Sequence, residues 1–341
     1  MKAAVLKQYN EVPVVEDRPV PEAAGNEVII KQTYTGICYR DILTLRGHFP
    51  RVRMPIVPGH EVAGRIAALG SSVEGLRVGD RVSGLIYMPC GECKYCRGGR
   101  ENLCRNKQTL GESVDGSYAP YVSMTQDSVV RVPDETGDES AVIAACVSGM
   151  LIQALRTRAR LAEGEKVLVT GAGGGVGAHA VQIAGALGGE VIASTSSAWK
   201  EEGIRKLGAS EVVQAGNASK AAKKLTGGEG VDVVIDTVGA PTFSESLRSL
   251  NFGGRLVIIG NVDASSAELP LGYIILKGLE IIGSVSSTRR DVAEALELSR
   301  RGLVRPVIDR KVRLENVGDA YAAMSGRNTF GRVLIDVGGQ Q

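Results

Sequence analysis

The chain has 341 residues with 40 Lys and Arg against 38 Asp and Glu, and a formal charge of +2 gives no reason to expect nucleic acid or an anionic membrane as partner. At 43% hydrophobic and 23% charged residues it has an ordinary globular make-up, and its length favours two domains over one core. No uninterrupted apolar run is long enough to span a bilayer.

The opening MKAAVLKQYNEV lacks the sustained apolar core of a signal peptide, so a cytoplasmic address is expected. That compartment keeps thiols reduced, and the six cysteines read as ligands rather than disulfides. Residues 1 to about 145 read as strand and loop, with short runs at Glu27–Lys31, Glu61–Ala67 and Asp80–Leu85 between turn residues. Within this region Cys38 lies in GICYRD and His60 in PGHEV, and Cys146 follows in AACVSGM. Two thiolates and one imidazole make the ligand set of a catalytic zinc whose fourth position takes water or substrate. The competing reading is three unrelated core residues. Asp41 is a candidate partner fixing the tautomer of His60, and Glu61 a spare ligand.

Between these segments CGECKYCRGGRENLC sets Cys90, Cys93, Cys96 and Cys104 at C-x2-C-x2-C-x7-C. Four thiolates close a tetrahedral shell around zinc and leave no open position, so this cluster staples a polar loop and does no chemistry. An iron–sulfur cluster is the alternative occupant.

From Lys166 to about Ser286 apolar strands alternate with helical stretches: VLVT, EVIAST, VDVVID, GRLVIIG and LEIIGSV. That alternation predicts an α/β domain with a parallel sheet covered by helices. Val167, Leu168 and Val169 form its first strand, followed at once by Gly171, Gly173, Gly174, Gly175 and Gly177. A helical pattern then carries Val181, Ile183, Ala184 and Leu187 on one face and stops at Gly188 and Gly189. Strand, glycine turn, helix and strand make the first βαβ unit of a Rossmann dinucleotide-binding fold. Gly171, Gly174 and Gly177 give a G-x-x-G-x-x-G frame, and phosphate is expected on the N–H groups near Gly175 and Val176.

About 20 residues beyond the turn, an NAD enzyme places a carboxylate on the ribose 2′-OH. Here STSSAWK has no acid from Ser194 to Lys200, whereas Ser194, Thr195, Ser196 and Lys200 can donate to a 2′-phosphate. Arg205 is a further cationic candidate. The expected cofactor is NADPH, with NADH as the second choice. The last ~55 residues open on a helix, Asp291–Arg301, end on a strand, Arg332–Val337, and are expected to return to the first domain.

GICYRD, PGHEVAG, the four-cysteine segment, AACVSGM and GAGGGVG fall in the order and spacing that resemble zinc-containing medium-chain dehydrogenase/reductases over essentially the whole chain. The resemblance implies a GroES-like, mainly β catalytic domain over 1–146, completed by 287–341, with a doubly wound Rossmann domain over 147–286 inserted. It implies that Cys38, His60 and Cys146 bind the catalytic zinc with Glu61 alongside, for two zinc ions per subunit. Nicotinamide would lie near that metal in the cleft between the domains, in a homodimer or homotetramer. Arg332, in FGRVLID, takes the place of a basic residue that touches the cofactor phosphates, a solvated surface arginine being the alternative.

One departure bears on the substrate. Alcohol dehydrogenases of this family usually carry Ser or Thr two residues after the first zinc cysteine to relay the alcohol proton, and here that residue is Arg40. Tyr39–Arg40–Asp41 resembles the YRD or YKD segment of quinone oxidoreductases and acryloyl-CoA reductases. Two long stretches, Asp236–Leu250 and Leu271–Asp291, are similar to the archaeal acryloyl-CoA reductases. The expected reaction is hydride transfer from NADPH to the β-carbon of a short 2-enoyl-CoA, the alternative being a zinc alcohol dehydrogenase. Tyr39, His48 and metal-bound water are the candidate proton donors. Arg40, Arg46, Arg51 and Arg53 are candidate contacts for the phosphates of a CoA thioester, or else a solvated surface.

Overall fold

Lys166–Val169, the strand that leads into the glycine turn, lies in the middle of a six-stranded parallel sheet. The structure, a computed structural model, describes residues 1–338. The partners along the chain are Glu190–Thr195, Glu211–Gln214, Val231–Asp236, Leu250–Ile258 and Glu280–Gly283, in spatial order 3-2-1-4-5-6. Val167, Leu168, Val169, Val233, Val234 and Ile235 are fully buried, because both faces of a parallel sheet are covered. The strand order reverses between the first and fourth strands, the switch point where such sheets take their ligand. Helix Gly177–Ala186 buries Ala178, Ala180, Val181, Ile183 and Ala184. It ends where Gly188 takes φ +89° and the Gly189 N–H turns back to Ala184 O.

The N-terminal region supplies a five-stranded antiparallel sheet ordered Val129–Arg131, Arg81–Gly84, Val62–Leu69, Glu27–Gln32 and Tyr121–Thr125. Val28, Ile30, Val62, Ile66, Val82, Val122 and Met124 alternate inward to form its core. A three-stranded sheet joins the two chain ends: Arg332–Asp336 lies between Ile308–Arg313 and Tyr34–Gly36. This pairing sets Arg332 close to the residues that precede Cys38.

The chain divides into two units. One comprises Met1–Gly149, Ser286–Arg301 and the chain from Ile308; the other comprises Met150–Val285 and Gly302–Val307. The excursion at 302–307 corrects the expectation that the whole C-terminal stretch returns to the first domain. Its cause is a set of hydrogen bonds to helix Gly177–Ala186. Gln182 Nε2 donates to Arg305 O at 3.0 Å, Arg305 N to Gln182 Oε1 at 2.9 Å and Val307 N to His179 Nε2 at 3.1 Å. Among the described residues, no helix is long and apolar enough to cross a membrane.

Candidate metal centres and dinucleotide turn

Cys38 caps the short helix Tyr39–Leu45, and the cap does more than start the helix. Its N–H donates to Asp41 Oδ2 at 2.8 Å, so the helix's first acid satisfies a backbone donor that the helix leaves free. The other oxygen, Asp41 Oδ1, faces His60 Nδ1 at 3.4 Å. The far side of the ring, Nε2, faces Cys146 Sγ at 3.4 Å, and Cys146 Sγ lies 3.9 Å from Cys38 Sγ. Cys146 sits in a π-helical turn, Ala144–Gly149, whose Ser148 N–H reaches back five residues to Ile143 O. Such a wide turn re-aims one side chain without ending the helix.

The donor atoms of Cys38, His60, Cys146 and Glu61 all lie within 4.8 Å of one another. Glu61 is fully buried; Oε1 is ion-paired with Arg332, and among the described residues Oε2 has no hydrogen-bond partner. A Cβ at Gly36 would fall 1.8 Å from Glu61 Oε2, so glycine there makes room for the carboxylate. Two sulfurs, one imidazole nitrogen and an orphaned carboxylate oxygen around one point fit a zinc ion with an exchangeable position.

The electrostatics agree with a cation there. Burial pulls His60 towards its neutral form, but Asp41, by charge and hydrogen bond, together with Cys38 carries it up to about 10. The hydrogen bond from Cys146 holds Cys38 well below the usual thiol range, and the same bond holds Cys146 well above it. Thiolate and neutral imidazole are the forms that bind a metal, so loading this site would release protons. Burial raises Glu61, with Arg332 opposing it. Burial works against the charge on Arg332, but Glu61, Cys38 and Cys146 together more than offset it.

The other cluster is local. Cys93 Sγ lies 3.5 Å from Cys96 Sγ, Cys104 Sγ 3.5 Å from Cys90 Sγ, and Cys90 Sγ 4.0 Å from Cys96 Sγ. A hydrogen bond from the Cys96 backbone lowers the Cys93 thiol to about 6, while burial pushes Cys96 up to about 12. Four sulfurs without a carboxylate or histidine in the group fit a closed tetrahedral zinc shell.

In the glycine turn, Gly171 has φ +62°, a left-handed conformation that glycine adopts at no steric cost. A Cβ at Gly177 would lie 2.2 Å from Gly171 O, so helix and turn could not approach as they do. Gly174 N donates to Gly171 O at 2.9 Å, and Gly175 O pairs with His179 Nδ1 at 2.8 Å. Val176 caps the helix at its N-terminus, where the dipole favours an anion. Gly173 is the point of closest approach for Lys200, whose Cδ would lie 2.4 Å from an added Cβ. Lys200 is 8% exposed, Ser194 and Thr195 are buried, and Ser196 is exposed. Thr195 Oγ1 accepts from Ser197 N at 3.2 Å. Arg205 instead pairs with Glu211 at 3.5 Å on the surface.

Several expectations change in the structure. Arg332 is 2% exposed and paired with Glu61, which corrects the solvated-surface reading. Arg40 pairs with Glu112 and lies 4.6 Å over the Phe49 ring, so its charge is already met. Tyr39 is partly buried against the core, and His48 is exposed. Sequence reading missed Glu112, Tyr118, His179 and Asp236. Buried Asp236, at the end of the fourth strand, accepts from Thr170, Thr242, Ser246 and the N–H groups of Val238 and Gly239. Its place at a strand's C-terminal end was the one available signal.

Two family models match: an alcohol dehydrogenase GroES-like domain over residues 24–134 and a zinc-binding dehydrogenase domain over 175–301. An acryloyl-coenzyme A reductase of Metallosphaera sedula is 46% identical over 336 residues, covering 98% of this chain and 99% of the relative. An alcohol dehydrogenase of Geobacillus stearothermophilus is 35% identical, covering 99% of this chain and 100% of the relative. The crystal structure of AibC superposes with a TM-score of 0.93 at 35% identity, covering 98% of this chain and 95% of that one.

Proposed function

The chain belongs to the zinc-containing medium-chain dehydrogenase/reductase family of oxidoreductases, and from that premise we propose that it reduces the C=C bond of a short 2-enoyl-CoA with NADPH. The observation that carries the substrate class is Arg40. Alcohol dehydrogenases of this family usually relay the proton through a hydroxyl at this position, and a guanidinium bound to Glu112 and stacked on Phe49 cannot serve as one, so alcohol chemistry here would need another exit such as His48. Full-length likeness to an acryloyl-coenzyme A reductase supports the same choice.

When bound, NADPH supplies the hydride and zinc supplies positive charge for the thioester oxygen on which negative charge collects. Cys38, His60 and Cys146 would hold that zinc, and Asp41 orients the His60 ring through Nδ1. Arg332 neutralises Glu61, so the site keeps a carboxylate without a second unpaired buried charge. Tyr39 at the start of the cysteine-capped helix and His48 just beyond its end are this chain's candidates for the one proton that the α-carbon takes up. The alternative, alcohol dehydrogenation, draws support from the complete zinc ligand set. Assaying NADPH oxidation with acryloyl-CoA and crotonyl-CoA beside alcohols, aldehydes and ketones decides between them. Robust alcohol oxidation without enoyl-CoA reduction would overturn the proposal.

The preference for NADPH rests on the missing carboxylate between Ser194 and Lys200 and on Lys200 lying across Gly173. Lys200→Ala is expected to raise the KM for NADPH about tenfold, the worth of one charge-assisted hydrogen bond, and to leave NADH unchanged. Equal effects on both cofactors would remove Lys200 from the 2′-phosphate. Two zinc ions per subunit, a cytoplasmic address and a homodimer or homotetramer complete the proposal. Self-association is supported by the exposed side chains of Leu271, Ile275 and Leu276 and is read by gel filtration.

A further inference from the structure

We infer that Tyr118 is a positioning residue of the Cys38–His60–Cys146 metal centre, its hydroxyl locking the Asp41 carboxylate that aims His60. The inference rests on the catalytic-zinc reading above. Tyr118 Oη donates to Asp41 Oδ2 at 3.0 Å, the same oxygen that accepts the Cys38 N–H at 2.8 Å. One donor on Oδ2 leaves the carboxylate free to swing about that bond. Two donors from different directions fix its plane, and Oδ1 is left for His60 Nδ1 at 3.4 Å. With Nδ1–H directed to Asp41, the Nε2 lone pair is turned to the sulfurs, as a metal ligand requires.

The segment carrying Tyr118 is itself fixed. Tyr118 N donates to Pro58 O, and Tyr118 O accepts from Ala4 N, each at 3.0 Å. The ring packs on Gly59, where an added Cβ would lie 2.3 Å from it. Gly59 has φ +90° and immediately precedes His60, so the absence of a side chain there lets the phenol pass beneath the ligand's own backbone. The neighbouring Ser117 Oγ lies 2.6 Å from Thr35 Oγ1, which donates to Glu61 O at 2.8 Å. Residues 117 and 118 therefore brace both His60 and Glu61 from one side. A comparison is at hand in Tyr321, which packs edge-on against Tyr118 with ring centroids 6.4 Å apart and is likewise buried, yet among the described residues makes no hydrogen bond to Asp41.

The test is zinc release from the full-length, zinc-loaded protein challenged with an excess chromogenic chelator. Cys93→Ser, lacking the lobe zinc, assigns the two release phases. In Tyr118→Phe, which removes one oxygen and keeps the ring, zinc is expected to leave the Cys38 centre about tenfold faster while the lobe zinc leaves at its wild-type rate. Tyr321→Phe is expected to leave both rates alone. A Tyr118→Phe rate equal to wild type overturns the inference. So does equal acceleration of both phases, which marks a general loss of structure. If Cys93→Ser protein holds no zinc at all, the metal reading itself fails, and the inference with it. Cobalt substitution gives a second readout: Tyr118→Phe should shift the visible bands of the Cys38 centre only, and an unchanged spectrum counts against the hydroxyl.

Discussion

The two cysteine clusters belong to one structural unit, yet they are built on opposite plans. The Cys90–Cys104 lobe draws all four ligands from 15 consecutive residues, held by short-range bonds such as Arg97 N to Cys93 O. The Cys38 centre gathers its ligands from far apart: Cys146 meets His60 across 86 positions and Cys38 across 108. Only the second has a buried carboxylate with a free oxygen, an acid behind its histidine and an arginine behind its glutamate. A local cluster of identical ligands saturates its metal and holds a loop. A dispersed, mixed set needs the whole domain to hold it and leaves one position free for a reactant.

The comparison is sharpest in His60→Ala. Loss of one zinc and a fall in kcat/KM on the order of 10³-fold are expected, turnover suffering far more than the thermal midpoint. Metal analysis with steady-state kinetics reads both, and retained turnover would break the assignment of chemistry to this centre. Arg332→Met comes next. It leaves Glu61 buried without its counter-charge and is expected to cost about 3–5 kcal/mol in denaturant unfolding. Arg332→Met combined with Glu61→Gln should recover part of that loss; a single-variant cost below about 1 kcal/mol would mean that water reaches the pair. The smallest effect belongs to Cys93→Ser. Losing the lobe's zinc should remove roughly 2–3 kcal/mol, a drop of about 5–10 °C in midpoint, while kcat/KM at 25 °C stays within about twofold. A large loss of activity at unchanged stability would exchange the roles of the clusters.

What was legible in the sequence follows the same divide. The glycine turn and the four-cysteine lobe are local patterns, and both stand where the spacing put them. The strands flanking the turn were visible because buried parallel strands are continuous apolar runs. Glu211–Gln214 was not, since EVVQ is short and half polar at the edge of the sheet. Tyr118 and Glu112 were missed because each finds its partner, Asp41 or Arg40, more than 70 positions away. Arg332 was seen but its pairing with Glu61 was not: nothing in FGRVLID says that the strand's first residue points into a carboxylate pocket. The excursion at 302–307 depends on His179 and Gln182 finding backbone groups more than 120 positions later, a contact with no local signature.

The pairing of Glu61 with Arg332 also sets an order of events during synthesis. The two are 271 positions apart, and a ribosome adding ~5–20 residues per second makes Arg332 more than ten seconds after Glu61. The parallel-sheet unit is nearly contiguous and lacks only Gly302–Val307 once Val285 has emerged. It can therefore close while the metal pocket still holds an uncompensated carboxylate and Tyr34–Gly36 still lacks its neighbouring strand. Among the described residues, Arg332–Asp336 is the last strand made and the one that completes the pocket. Nascent chains stalled with residue 325 just outside the tunnel should resist protease over 150–307 and be cut within the first 149 residues. Protection of both regions at that length would show that the pocket forms without its arginine.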